Sequence, residues 1–338
     1  MTYPLLEEEE LPEGVRSHPG MISDEERRLL YGCARDHYLG KGVIVDAGVF
    51  LGASTIALGQ GLRENPQIVL DDLMPEPIRS FERGIAGPNL SRHTKKAKLP
   101  DVPEGESFLG ILEEQLKPVQ DLTKLTTGDI LEYSGEDIDG IEICFLDILK
   151  TPEVARHVME VFFPSLLPGA IIIQQDYFFG GLPFIKVFNE ALADKLTYLG
   201  EVRSSAIFKT TAPITAADLE DAFAAIDTLD RAVSLHLRAE ERTVNPFRQY
   251  MMRLSRARLY AGARDTDNAS QTLAEANKEF PQIARGGIST SPTSLSMQIE
   301  ALEEVIDRIR NTEVERAERA RKRAEVRRAR RKARGIED

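Results

Sequence analysis

VIVDAGVFLGASTIALGQGL, residues 43–62, decides the fold class, because it passes from an apolar strand to a helix through a glycine turn with an acid at the strand's end. Val43, Ile44 and Val45 form a β-branched run suited to a parallel strand covered on both faces. Asp46 closes that run where the crevice of an open α/β sheet lies. Gly48 and Gly52 remove side chains where a ligand approaches backbone, and Ser54 and Thr55 bring oxygen acceptors to the helix N-terminus. The rest of the stretch, IALGQGL, continues as an apolar helical face. A ligand of nucleotide type is implied.

Working outward, residues 22–38 read as a helix, with Ser23 as N-cap and Glu26 completing a capping box. Residues 67–72, QIVLDD, read as the second strand and put Asp72 at its end, about 20 residues after the glycine turn, where a carboxylate accepts hydrogen bonds from ribose hydroxyls. Residues 73–103 have weak periodicity and form a candidate active-site lid, since structureless connections of that length are uncommon and often functional. Strands follow at 122–126, at 141–146 ending in Asp147, and at 170–174 ending at Gln175 and Asp176. The runs 196–202 and 205–210 pair as a terminal antiparallel hairpin. Strands alternating with helices predict a doubly wound, Rossmann-like α/β sheet. Past residue 214 only helical patterns occur, at 216–242, 245–262, 266–280 and 293–332. The expected division is an acidic N-terminal arm (1–21), an α/β domain (22–213) and an appended C-terminal all-α domain (214–338).

Hydrophobic content of 42% and charged content of 29% place the chain among soluble globular proteins. No stretch reaches the ~20 apolar residues of a membrane span, and the acidic start MTYPLLEEEELPEG is unlike a secretion signal, so a cytoplasmic protein is expected. Two cysteines, Cys33 and Cys144, outside any C-x-x-C pair, argue against a disulfide framework and a structural zinc site. Residues 316–334 hold eleven Lys and Arg against two acids, a formal +9, which leaves −21 on the remainder of a chain whose total is −12. An acidic body gives no case for specific nucleic-acid binding, and the basic tail reads first as a solvated helix end. Apolar positions early in the last helical pattern, at Ile299, Leu302, Val305, Ile306 and Ile309, suit a packed or coiled-coil helix through which the chain forms homo-oligomers.

The glycine spacing selects the ligand. A dinucleotide fingerprint reads G-x-G-x-x-G, whereas here an acid stands two residues before the first of only two glycines, and an acid there suits a cation. The segment resembles motif I of the class I S-adenosylmethionine (SAM) methyltransferases, and G-x-x-x-G-A-S-T resembles the small-molecule O-methyltransferases of the macrocin and catechol types. Over residues 22–210 the resemblance implies a seven-stranded sheet in the order 3-2-1-4-5-7-6. It also implies that Asp46, Gly48, Gly52, Ser54 and Thr55 hold the amino-acid end of SAM, that Asp72 takes the ribose, and that Asp129 faces the adenine amino group.

The acceptor chemistry rests on Asp147-Ile-Leu-Lys150, which resembles the D-x-x-K of catechol-type enzymes. That resemblance implies a Mg²⁺ ligand at Asp147 and a general base at Lys150, its pKa depressed by the cation and by burial. At the end of strand five the family pattern supplies two metal ligands, Asp-Asn or Asp-Asp, whereas this chain reads Gln174-Gln175-Asp176. Asp147, Gln175 and Asp176 still make an oxygen set for Mg²⁺. Without the metal, Asp176 acts as base or substrate anchor. The implied function is an EC 2.1.1-type enzyme that methylates a hydroxyl of a small acceptor, a sugar or secondary metabolite. The missing strand-five carboxylate favours the alternative, a catalytically degenerate SAM-binding domain that serves as a scaffold through its C-terminal helices.

Overall fold

The computed structural model describes residues 10–285 and 292–333, with backbone alone for 292–294 and 327–333. The acidic run at 7–9 and the last basic residue of the tail, Arg334, lie outside the described residues. Seven strands form one sheet: β1 (Val43–Ala47), β2 (Ile78–Glu82), β3 (Thr123–Thr127), β4 (Ile141–Leu146), β5 (Leu166–Gln174), β6 (Leu196–Val202) and β7 (Ser205–Thr210). Their order is β3-β2-β1-β4-β5-β7-β6, the order that the resemblance implies. β7 runs antiparallel to both β5 and β6, and the other pairs are parallel.

β1 and β4 are buried along their whole lengths, which is why they read as continuous apolar runs. Successive strand residues point to opposite faces. Ile44, Ile78, Ile143, Phe145, Ile171 and Ile173 share one cluster with residues of the helices Asp24–Gly32, Ala53–Arg63 and Leu109–Leu116. On the other face Phe81 meets Phe162 of the helix Pro152–Phe162 at a ring separation of 5.3 Å. A buried acid within β4, Glu142, accepts hydrogen bonds from the backbone N–H groups of Leu39, Lys41 and Gly42 and so fixes the loop that enters β1. The capping box of Ser23 and Glu26 is present at the start of Asp24–Gly32.

The second strand is not where the sequence pattern puts it. Residues 70–72 form one turn of 3₁₀ helix, and Asp71 and Asp72 are exposed on it. The partner of β1 is Ile78–Glu82, in register Ile44↔Ile78 and Asp46↔Ser80, so the acid at the strand's end is Glu82. The lid segment also has structure of its own, with a short helix at Leu90–Lys96 and an antiparallel bridge between Ile85 and Ser107. The N-terminal arm is not loose from residue 11 on, because Leu11, Val15 and Ile22 belong to the main core. Arg27, 4% exposed, donates to the carbonyl of Val15 at 2.7 Å and holds the arm as a strap.

The chain divides into an α/β unit, residues 1–178 and 184–227, and a helical unit, residues 179–183 and 228–338. The division falls later than residue 214, and the helix Ala216–Ala224 belongs with the α/β unit. In the helical unit, Pro246–Gly262, Thr266–Glu279 and the first half of Pro292–Ala333 pack around Tyr250, Leu254, Leu273, Leu302 and Ile306. From Glu315 to Val326 every residue of that last helix is exposed, as its charge pattern requires. Among the described residues no helix is long and apolar enough to cross a membrane.

Candidate functional site

The glycine turn is built by backbone conformation. Gly48 and Gly52 have φ of +102° and +97°, and Phe50 between them takes φ of +52°, a strained value for a bulky residue and one that clusters at functional sites. A Cβ on Gly48 would lie 2.8 Å from Cγ2 of Ile148 and 3.0 Å from the carbonyl carbon of Asp147, so β4's end and the turn touch without side-chain filling. Gly48 N–H donates to Phe81 O at 3.0 Å and Phe50 N–H to Glu82 Oε2 at 2.7 Å, which ties the turn to the end of β2.

Asp46 lies beneath this turn, fully buried. Ser54 and Thr55 do not cap the helix, whose N-cap is Gly52; their hydroxyls donate to Asp46 Oδ2 at 2.9 and 2.5 Å and bolt the helix to β1. Among the described residues Asp46 Oδ1 has no hydrogen-bond partner, and burial pushes its carboxyl up to about 6.

Above the turn, a cleft of about 380 Å³ opens at the carboxyl ends of β2, β3 and β4, the place where open α/β sheets bind ligands. Glu82, Gly128 and Asp129 line one part of it, and Asp147, Ile148 and Lys150 another. Asp129 both lines the cleft and accepts from Leu131 N–H at 3.0 Å, so it positions the turn Ile130–Glu132 as well. Asp72 is not among the lining residues. Glu82 is the cleft-lining acid that the sequence pattern missed, and its signal was the strand pattern IRSFE ending in an acid.

Lys150 donates to Asp147 Oδ1 and to Asp176 Oδ2, each at 2.6 Å, so the ends of β4 and β5 meet on one ammonium. Burial pulls the Lys150 pKa down, but the two carboxylates more than reverse it and the net direction is up. Held by the two carboxylates, the lysine stays protonated, opposite to the depression expected with a metal cation beside it. Burial raises Asp147 to about 7, with Lys150 opposing and Asp176 adding to the rise. Asp176 has φ of +57°, a second left-handed residue at the site. Gln175 is committed elsewhere, with its amide Nε2 donating to Ser204 Oγ at 2.9 Å and Ser204 donating to Glu26 Oε1 at 3.0 Å. Its Oε1 is buried without a partner among the described residues. Of the aromatic run that follows, Tyr177 and Phe178 are 1% and 4% exposed and pack in the core, whereas Phe179 is 37% exposed.

The strap adds a histidine. His18 Nε2 and the carbonyl of Leu51 are 3.0 Å apart, which pins the strap to the glycine turn. Burial and then Arg27 lower its pKa, while the bond to Leu51 opposes them. A depressed folded-state pKa means stability present above the unfolded value of about 6.5 and lost as pH falls through the folded one. Acidifying from neutral pH is therefore expected to lower the melting temperature less in His18→Gln than in the wild type. Equal slopes in thermal melts at stepped pH would refute a role for His18.

No protein-family model and no curated protein matches the chain. Among solved structures it is similar to the O-methyltransferase NovP, at 16% identity over 60% of this chain and 89% of that chain, with a TM-score of 0.42. It is similar to the S-adenosylhomocysteine (SAH)-bound methyltransferase PaMTH1 of Podospora anserina, at 15% identity over 60% of this chain and 89% of that one, TM-score 0.42. It is also similar to the calicheamicin methyltransferase CalS11, at 20% identity over 54% of this chain and 77% of that one, TM-score 0.38. These are likenesses of fold.

Proposed function

We propose that the α/β unit is a SAM-dependent methyltransferase, cytoplasmic, acting on a hydroxyl of a small acceptor such as a sugar or secondary metabolite. The observation that carries this reading is the cleft beside the glycine turn, with the carboxylates Glu82, Asp129 and Asp147 at the carboxyl ends of β2, β3 and β4 on either side of β1. Its parts suit such a donor: Gly48 leaves no room for a Cβ, Glu82 offers a carboxylate to a ribose, and Asp129 an acceptor to the adenine amino group. Asp46, Ser54 and Thr55 act beneath the turn by holding its shape. The helical unit is the appendage for oligomerisation or partner binding.

SAM, when bound, supplies a methyl carbon on positively charged sulfur, which leaves as a neutral thioether. The residues' share is to hold the acceptor oxygen in line and take its proton. Asp147 faces the cleft, and its raised pKa suits it to the proton. Lys150, protonated and 48% exposed, orients the carboxylates and does not act as base.

Isothermal titration with SAM, SAH and NAD tests the reading. Hydrogen bonds to charged groups contribute about 1.5–3 kcal/mol, so Glu82→Gln is expected to weaken SAM binding about tenfold to a hundredfold. Asp72→Ala, an exposed change outside the cleft, is expected to leave it within about twofold. SAM affinity lost in Asp72→Ala and kept in Glu82→Gln, or a preference for NAD, would remove this reading.

A further inference from the structure

Two carboxylates converging on one point make a cation slot, and here the slot holds a side chain. Asp147 Oδ1 and Asp176 Oδ2 each lie 2.6 Å from Nζ of Lys150. A Mg²⁺ at that place needs near-octahedral oxygen at about 2.0–2.1 Å. To enter, it would have to break two charge-assisted bonds and then sit beside a displaced ammonium of like sign. Among the described residues no three His, Cys, Asp or Glu side chains converge to offset that repulsion. The pKa of the buried Lys186, in the helix Pro183–Ala191, is pulled down to about 7 by burial, with Asp176 opposing that shift. The donor set as it stands does not fit the metal that the D-x-x-K resemblance implies.

The structure also shows what the slot lacks besides room. Gln175 places a buried Oε1, unpartnered among the described residues, at the end of β5 next to Asp176. Its amide nitrogen is held by the chain Gln175–Ser204–Glu26, which fixes which way the amide faces. Asp147 and Asp176 are hard oxygen donors with the ammonium of Lys150 standing between them. We propose that Lys150 is the resident cation of this site, so that the Asp147–Lys150–Asp176 triad works without a divalent metal, and that removing the ammonium leaves the two carboxylates as a divalent-cation site. The catalytic half of this statement rests on the methyltransferase reading, whereas the cation-binding half does not.

The test uses the full-length chain and Mn²⁺ alone, followed by the loss of the free-ion signal in electron paramagnetic resonance. Wild type is expected to leave the signal at the level of buffer. Lys150→Ala and Lys150→Met, the second keeping most of the stem, are expected to bind one Mn²⁺ per chain at least about tenfold more tightly than wild type. Adding Asp176→Asn to Lys150→Ala should abolish that gain. The proposal is overturned if wild type binds one Mn²⁺ and Asp147→Asn removes it, or if Lys150 variants with wild-type circular dichroism bind no better than wild type. The wild-type and Asp147→Asn titrations decide whether the triad holds a divalent metal even if both Lys150 variants misfold. A parallel SAM titration on wild type separates the two ideas: no SAM binding with the Mn²⁺ pattern intact removes the methyltransferase reading and leaves the lysine as resident cation.

Discussion

Gly48→Ala is expected to weaken SAM binding about a hundredfold while the protein still folds. Two costs add at this position. The backbone sits at φ of +102°, where an L side chain costs roughly 1–2 kcal/mol. The new Cβ would also lie 2.8 Å from Cγ2 of Ile148 and 3.0 Å from the carbonyl carbon of Asp147. Backbone cannot swing aside as a flexible side-chain tip does, so relief requires the end of β4 or the turn to move. Both Asp147 and Ile148 line the cleft, and that movement reshapes its wall. A combined penalty of about 2.7 kcal/mol corresponds to a hundredfold in affinity and stays below the roughly 5–15 kcal/mol that holds a typical domain together. Gly169→Ala is the matched control. Gly169 has φ of +88° and its Cβ would meet only Cε of Lys209, at 3.6 Å, so it carries the strain without the clash. Calorimetry with SAH should show affinity lost in Gly48→Ala and kept in Gly169→Ala, with melting temperatures lowered in both. Wild-type affinity in Gly48→Ala would mean that the turn does not shape the donor's site.

The strands whose apolar runs are local were legible, and the one whose burial is decided by neighbours was not. β1 and β4 announce themselves because both faces are covered. β2 contains Arg79 and Glu82 and is only partly buried, and Arg79 lies 3.8 Å from Glu76. Its identity as the partner of β1 comes from the sheet, whereas Ile68, Val69 and Leu70 offer a stronger local run that ends in a 3₁₀ turn. Moving the strand moved the acid at its end from Asp72 to Glu82, so one misplaced element changed which acid stands at the cleft. The glycine turn was legible in kind, since positive φ at Gly48 and Gly52 is a backbone demand that the residue type records. What Asp46, Ser54 and Thr55 do was not, because the same oxygens serve a ligand or one another, and only the fold shows that the hydroxyls donate inward. The charge state of Lys150 was hidden for a similar reason. Asp147 is three residues away in sequence, but Asp176 is 26 residues away, and burial's depression of the lysine is outweighed by the two carboxylates together.

Asp147→Asn is expected to cut turnover by about 10²–10⁴, the usual worth of a positioned acid or base, with SAM affinity within a few-fold of wild type. Asparagine keeps the shape and an oxygen for Lys150 but cannot take a proton. Asp176 remains to hold the ammonium, so the loss is confined to the chemistry. The measurement is SAH release with whichever of a panel of hydroxylated sugars and phenols the wild type methylates. Lys150→Met separates the two possible bases. If the lysine took the proton, its removal would cost as much as the loss of any general base, and Asp147→Asn would cost only an orienting bond. With the lysine held protonated by two carboxylates, the order reverses: Asp147→Asn is the more damaging change, and Lys150→Met, which frees both carboxylates from their counter-ion, loses mainly acceptor alignment and shows it in KM. Turnover retained in Asp147→Asn, with the main loss of kcat in Lys150→Met, would restore the lysine as base. That result would require the triad's protons to be arranged differently from what these two 2.6 Å contacts dictate.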